Sequence, residues 1–133
     1  MVSSPAREED KMSEADSFID EWRELKRMMK ALAGIARLTI VYHLARQPEI
    51  TVTSLTDMLK ISQPLVSWHL RKLKRAGLIE TRRSGRQVYC SLNAARFQLC
   101  IKRLEGLVDP SILAEALPSG VTLIEAETSS ESD

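Results

Sequence analysis

The chain is poor in the side chains that metal centres and most catalytic sites require. It has two cysteines, Cys90 and Cys100, and two histidines, His43 and His69, among 133 residues. Two thiols are too few for a disulfide framework, and their spacing fits no zinc template. A reducing cytoplasm is therefore the expected setting. Zinc or a softer metal wants three or four converging nitrogen or sulfur ligands, and the four scattered candidates do not suggest such a set. No cofactor is expected. No apolar run approaches the roughly 18 residues needed to cross a bilayer. The polar, acidic N-terminus lacks the basic-then-apolar pattern of an export signal. There is no glycine-rich phosphate loop, nucleophile elbow or pair of catalytic carboxylates, so an enzyme is not expected either. No segment repeats.

What is present fits one small globular domain with tails. The apolar fraction of 44% and charged fraction of 28% are ordinary for a soluble protein, and the length allows a single modest core. The formal net charge of +1 conceals a strong partition. Residues 1–21 carry Arg7 and Lys11 against seven acids, and residues 109–133 carry six acids and no base. Between them, residues 22–108 hold 17 bases and five acids, and from Lys60 to Arg86 eight bases face one acid, Glu80. A basic middle between acidic ends suggests a polyanion as partner for the middle, although such runs also simply solvate surfaces.

Apolar spacing divides the chain into elements. Residues 1–14 lack periodicity and are expected to form a flexible acidic arm. From Ala15 to Ala33, Phe18, Trp22, Leu25, Met29 and Leu32 recur at steps of four and three, the stripe of an amphipathic helix. A second helix is expected from Ile35 to Arg46, with Leu38, Val41 and Leu44 or Ala45 inward, stopping before Pro48. Glu49–Thr51 suits a short strand. Thr53 is a candidate N-cap for a helix burying Leu55 and Leu59. Ser62 or Gln63 then caps another, with Pro64 in its first turn and Gly77 at its end. Leu78–Arg82 and Gln87–Leu92 are expected as strands about a tight turn at Arg83-Ser84-Gly85-Arg86. A last helix is expected from Ala94 to Val108, ended by Pro110, with a short helical turn at Ser111–Leu117. The acidic tail 118–133 is expected to be disordered.

Two short helices in quick succession followed by a hairpin make a helix-turn-helix with a wing. The second helix divides its labour by face. Val66, Leu70 and Leu73 must pack inward, while Gln63, Ser67, Arg71 and Lys74 lie opposite with His69 and Lys72 at the flanks. Small polar groups at its N-terminal end can meet base edges, with Gln63 suited to adenine and Ser67 to either class of base. The cations further along, and Arg82, Arg83 and Arg86 on the hairpin, suit phosphate. An ordinary charged surface helix is the plainer alternative, and the cationic hairpin weighs against it.

In these residues the chain resembles the ArsR/SmtB family of bacterial winged-helix repressors. The likeness lies in A-L-A-G-I-A-R-L at 31–38, S-Q-P-L-V-S-W-H-L-R-K-L-K-R-A-G-L-I at 62–79 and R-R-S-G-R-Q-V-Y at 82–89. The resemblance implies a mainly α fold with a small β-hairpin, a winged helix-turn-helix over 15–117 that dimerises through its N- and C-terminal helices. It implies a sequence-specific regulator, a repressor by analogy, binding double-stranded DNA as a homodimer at a near-palindromic site. The segment matching Ser62–Leu73 would be the recognition helix, and the hairpin tip would lie along the phosphate backbone. Ser62, Gln63, Pro64, Ser67, Trp68, His69, Arg71, Lys72, Lys74, Arg82, Arg83 and Arg86 are the candidate DNA contacts. Phe18, Trp22, Leu25, Met29, Phe97, Cys100, Ile101, Leu104 and Val108 are the candidate dimer contacts. Trp22 and Phe97 are the leading anchors, each equally explicable as a core residue.

Three departures from the family pattern stand out. Lys60 occupies a turn position where the family often has glycine. Trp68 replaces a polar or cationic base-reader, and can touch a thymine methyl or a sugar or shield the helix start. The family's metal-sensing residues are missing: the helix before the recognition helix reads T-S-L-T-D-M-L-K, without Cys or His, and the last helix has one thiol and no His. Thiol sensing in the family uses a second Cys in the second helix, where this chain has Tyr42 and His43. An unidentified small-molecule effector, a protein partner or no effector remain. The rival function is a winged helix used for protein interaction through the acidic tails, which could also fold back on the basic face.

Overall fold

The structure, a computed structural model, describes residues 3–116, with side chains from residue 17 onward. The acidic tail expected over 118–133 lies outside the described residues. The chain divides into two units, Met1–Cys100 and Ile101–Asp133.

In the first unit the order is α1 (Ser3–Leu32), α2 (Ile35–Leu44), β1 (Ile50–Thr51), α3 (Val52–Leu59), α4 (Gln63–Arg75), β2 (Ile79–Ser84), β3 (Gln87–Leu92) and the start of α5 (Ala94–Glu105). Helix α1 begins at Ser3, so most of the segment expected as an arm is helical. Ala, Glu, Lys and Met, all good helix formers, supply half of residues 3–14, and lengthening an existing helix needs no new nucleus.

The apolar stripe of α1 divides into two. Leu25, Met28 and Ala31 are buried and Leu32 packs against them, whereas Phe18, Trp22 and Met29 remain exposed. The two sets lie about a quarter-turn apart around the helix axis. In α2 the inward residues are Ile40, Val41 and Leu44, and Leu38 is 53% exposed rather than buried. Apolar side chains lie on nearly every side of α2, so its sequence does not report its phase.

The sheet has the order β1-β3-β2, all antiparallel. Cys90 sits at its centre, opposite Ile50 on one side and Thr81 on the other. One core joins α1, α2, α3, α4 and the sheet through Met28, Ile40, Leu55, Val66, Leu73, Leu78 and Ile79.

Local chemistry places the ends. Thr51, not Thr53, caps α3: its Oγ1 accepts the Ser54 N–H at 3.1 Å and donates to Ser54 Oγ at 2.9 Å. The strand ends directly in the helix, which puts the cap two residues earlier than expected. Lys60 closes α3 in the left-handed conformation, φ 55° and ψ 39°, the geometry for which glycine is the usual choice. Ser62 caps α4, accepting the Leu65 N–H at 3.4 Å, and Pro64 sits in the first turn. Gly77 turns the chain out of α4 at φ 77°. The first wing strand runs two residues further than expected: Ser84 pairs with Gln87 across a two-residue turn, with Gly85 at φ 61°.

The second unit contains the end of α5 and α6 (Pro110–Ala116). Helix α5 stops at Glu105 rather than Val108, because Gly106 interrupts a run of good helix formers. Asp109 opens α6: its carboxylate accepts the Ser111 N–H at 2.9 Å and hydroxyl at 2.7 Å. Those bonds hold its carboxyl below the usual aspartate range.

Candidate nucleic-acid interface

Helix α4 and the wing form one concave surface. The buried face of α4 consists of Val66, Leu70 and Leu73, which turns Gln63, Ser67, Arg71 and Lys74 outward. Together with Arg83 and Arg86 of the wing they line an open hollow of about 370 Å³. Thr53 and Gln87 also line it; spacing along the chain does not single them out, because their nearness to α4 depends on the packing of α3 and the wing. Lys74 Nζ donates to Thr81 Oγ1 at 2.8 Å, tying the end of α4 to the first wing strand. The bond fixes the angle between helix and wing at the cost of one otherwise mobile cation.

Arg82 is placed differently from its neighbours. Its Nε and Nη2 donate to the two carboxylate oxygens of Glu49 at 2.7 and 2.8 Å, and its guanidinium lies over the Tyr89 ring at 4.3 Å. The hydrogen bonds from Arg82 are the main reason the Glu49 carboxyl titrates below its usual value of 4.5. Arg82 therefore braces the wing against the residue preceding β1, while Arg83 and Arg86 remain on the hollow.

Trp68 and Lys72 face a second surface on the other flank of α4. Arg37 lies 5.6 Å and Lys72 Nζ 5.2 Å from the indole centroid, and His69 meets it edge-on at 5.0 Å. Burial first, and the Arg37 charge second, push the His69 pKa below its ordinary 6.5. Ser62 and Pro64 are exposed at the start of α4.

Among the candidate dimer contacts, Leu25 and Cys100 are already covered within one chain, at 4% and 2% exposure. Phe97 is half-buried against the core. Phe18 and Trp22 are exposed and pack on each other, with ring centroids 6.1 Å apart, and Met29 is exposed on the same stripe. In the second unit Ile101, Leu104 and Val108 are exposed.

Neither cysteine forms a disulfide, and both are buried. Burial pushes the Cys90 thiol up to about 11, only partly offset by Lys74. Among the described residues, no three His, Cys, Asp or Glu side chains gather closely enough to hold a metal ion. None of the described helices is long and apolar enough to cross a membrane.

A short helix, a tight turn, a helix with an outward polar face and a two-stranded hairpin define a winged helix-turn-helix protein. Residues 36–81 match the model of the bacterial regulatory protein, arsR family. Over 82 residues the chain is 38% identical to the arsenic resistance transcriptional regulator ArsR1 of Pseudomonas putida, covering 62% of this chain and 64% of that one. It is 34% identical over 77 residues to the transcriptional repressor PagR of Bacillus anthracis, covering 58% of this chain and 77% of PagR. The similarity to the transcriptional activator HlyU of Vibrio cholerae is 34% over 80 residues, 60% of this chain and 73% of HlyU. A solved structure of HlyU superposes with a TM-score of 0.52 at 30% identity, over 62% of this chain and 91% of that one. The chain belongs to the ArsR family of bacterial transcriptional regulators. It spans just under two thirds of the length of ArsR1.

Proposed function

We propose that the protein is a sequence-specific DNA-binding repressor that works as a homodimer in the bacterial cytoplasm, not an enzyme. The observation that carries this is the hollow where the polar face of α4 meets Arg83 and Arg86. Gln63 and Ser67 stand where a helix lying in a major groove meets base edges, and the cations stand where it meets phosphate. Residues 15–117 would make up the DNA-binding and dimerising part. The exposed stripe of Phe18, Trp22 and Met29, together with Ile101, Leu104 and Val108, supports dimerisation, since a monomer rarely leaves so much apolar surface in water. Two α4 helices would then meet half-sites about 34 Å apart.

The test compares two kinds of substitution on a site selected from random duplexes. Arg83→Ala should weaken all sequences alike and lower the salt slope by about 0.9 per protomer, about 1.8 per dimer. Gln63→Ala or Ser67→Ala should cost about 1–3 kcal/mol and relax preference at one base pair. Identical behaviour of Ser67→Ala and Arg83→Ala would overturn this division of contacts. Salt-independent affinity would remove the DNA function and leave the protein-interaction alternative.

A further inference from the structure

A second cleft, of about 360 Å³, lies between the end of α1, the start of α2 and the Trp68 flank of α4. Arg27 and Lys30 come from α1, Arg37 from α2, and Lys72 and Arg75 from α4, with Trp68 among them. All belong to the first unit. No carboxylate lines the cleft. Among the described residues none of these five cations forms an ion pair: Glu24, one turn before Arg27, bonds Arg96 instead. Arg37 is held in place by a bond from Nη2 to the Ala33 carbonyl at 3.1 Å.

Five cations brought together by three helices repel one another unless an anion sits between them. Cations arriving from several directions suit a phosphoryl group, with its two or three free oxygens, better than a single carboxylate, and arginine binds such groups in bidentate fashion. The exposed indole adds a flat face for a ring or sugar attached to that group. The volume is within the range of small-ligand sites.

We propose that this cleft is a phosphate site, taking either a backbone phosphate of bound duplex or the phosphoryl group of a free small molecule. Both sources are physically open. Trp68, Lys72 and Arg75 lie on the flank of α4 away from the wing, and a helix in a major groove has a phosphate backbone on each side. A free phosphorylated ligand there would act on the recognition helix directly. The duplex arm of the proposal rests on the DNA-binding function above; the free-ligand arm does not.

The experiment uses the full chain, nitrogen-labelled, and its Arg27→Gln/Arg75→Gln variant, whose two altered side chains are exposed and outside the core. Phenyl phosphate is titrated while the Trp68 indole resonance is followed, assigned by its loss in Trp68→Phe, against sodium chloride at matched ionic strength. A saturable shift that weakens about tenfold or more in the double variant establishes the free-ligand source. In parallel, both proteins bind a mixed-sequence duplex across a salt series. A slope lower by about two per protomer, nearly four per dimer, in the variant establishes the duplex source. An unmoved Trp68 resonance together with an unchanged slope overturns the proposal. If the parent chain binds no duplex at all, the DNA function fails, and the phenyl phosphate titration decides the cleft alone.

Discussion

Arg82 grips Glu49 with both arms of its guanidinium, at 2.7 and 2.8 Å, across 33 residues of sequence. This bidentate bridge takes the first arginine of the wing out of the hollow that Arg83 and Arg86 line. It follows that Glu49 restrains a cation that could otherwise meet phosphate. Glu49→Gln is expected to bind duplex more tightly, with the salt slope steeper by about 0.9 for each protomer's added phosphate contact, about 1.8 per dimer. Thermal stability should change little, because exposed ion pairs contribute little. The folded-state carboxyl is depressed below 4.5, so the bridge is complete above that value and is lost only as pH falls through the depressed one. Duplex affinity should therefore show no Glu49-dependent change from roughly pH 6 to 8. Salt-series binding of both proteins at several pH values checks this.

The two left-handed residues flanking α4 should respond oppositely to substitution. Lys60 adopts φ 55° with a side chain that disfavours it, so Lys60→Gly is expected to stabilise the fold by about 0.5–1 kcal/mol, after the entropy glycine adds to the unfolded chain. Gly77 has φ 77°, and a Cβ there would come within 2.9 Å of Arg96 Nε. Gly77→Ala should destabilise by about 1–2 kcal/mol or more and displace Arg96 from Glu24. Denaturant unfolding of the two variants reads both signs.

Trp22 and Leu25 are one turn apart on α1 and should separate association from folding. Leu25 is buried within the chain, so Leu25→Ala is expected to cost about 2–5 kcal/mol of stability. Trp22 is 55% exposed, so Trp22→Ala should leave each protomer folded while weakening the dimer about tenfold or more. Sedimentation equilibrium, with circular dichroism as the folding control, distinguishes the two outcomes. An unchanged dimer in Trp22→Ala would move the interface off this stripe.

Cys90 should be inert in the native state. With the thiol pushed up to about 11, only about one molecule in ten thousand carries the thiolate near neutrality. Alkylation of the folded protein should be slow and rise about tenfold per pH unit, becoming fast only on unfolding. Mild peroxide should leave duplex affinity unchanged. Rapid native labelling of Cys90, followed by mass spectrometry, would contradict this.

Much of the α4 face and the wing is legible in the order and spacing of residues. The succession of elements follows from apolar periodicity, and the turn glycines Gly77 and Gly85 lie at positive φ. Val66, Leu70 and Leu73 are buried as their spacing requires, because a single-faced amphipathic helix can satisfy its apolar stripe in just one way. Where spacing misleads, the cause is physical. Helix α2 is apolar on nearly every side, so nothing local distinguishes Leu38, which is exposed, from Ile40, which is buried. At α3, Thr51 and Thr53 are both acceptable caps, and the choice of Thr51 depends on where β1 pairs with β3.

For α4 and the wing, then, the sequence by itself determined which side chains turn outward and that many are cationic, since helix period and charge are local properties. Tertiary structure alone decided what each cation does. Glu49 holds Arg82, Thr81 holds Lys74, and three helices collect Arg27, Lys30, Arg37, Lys72 and Arg75 around Trp68. Partners on different elements meet only when the core packs, and electrostatic interactions depend on distances that no spacing along the chain encodes.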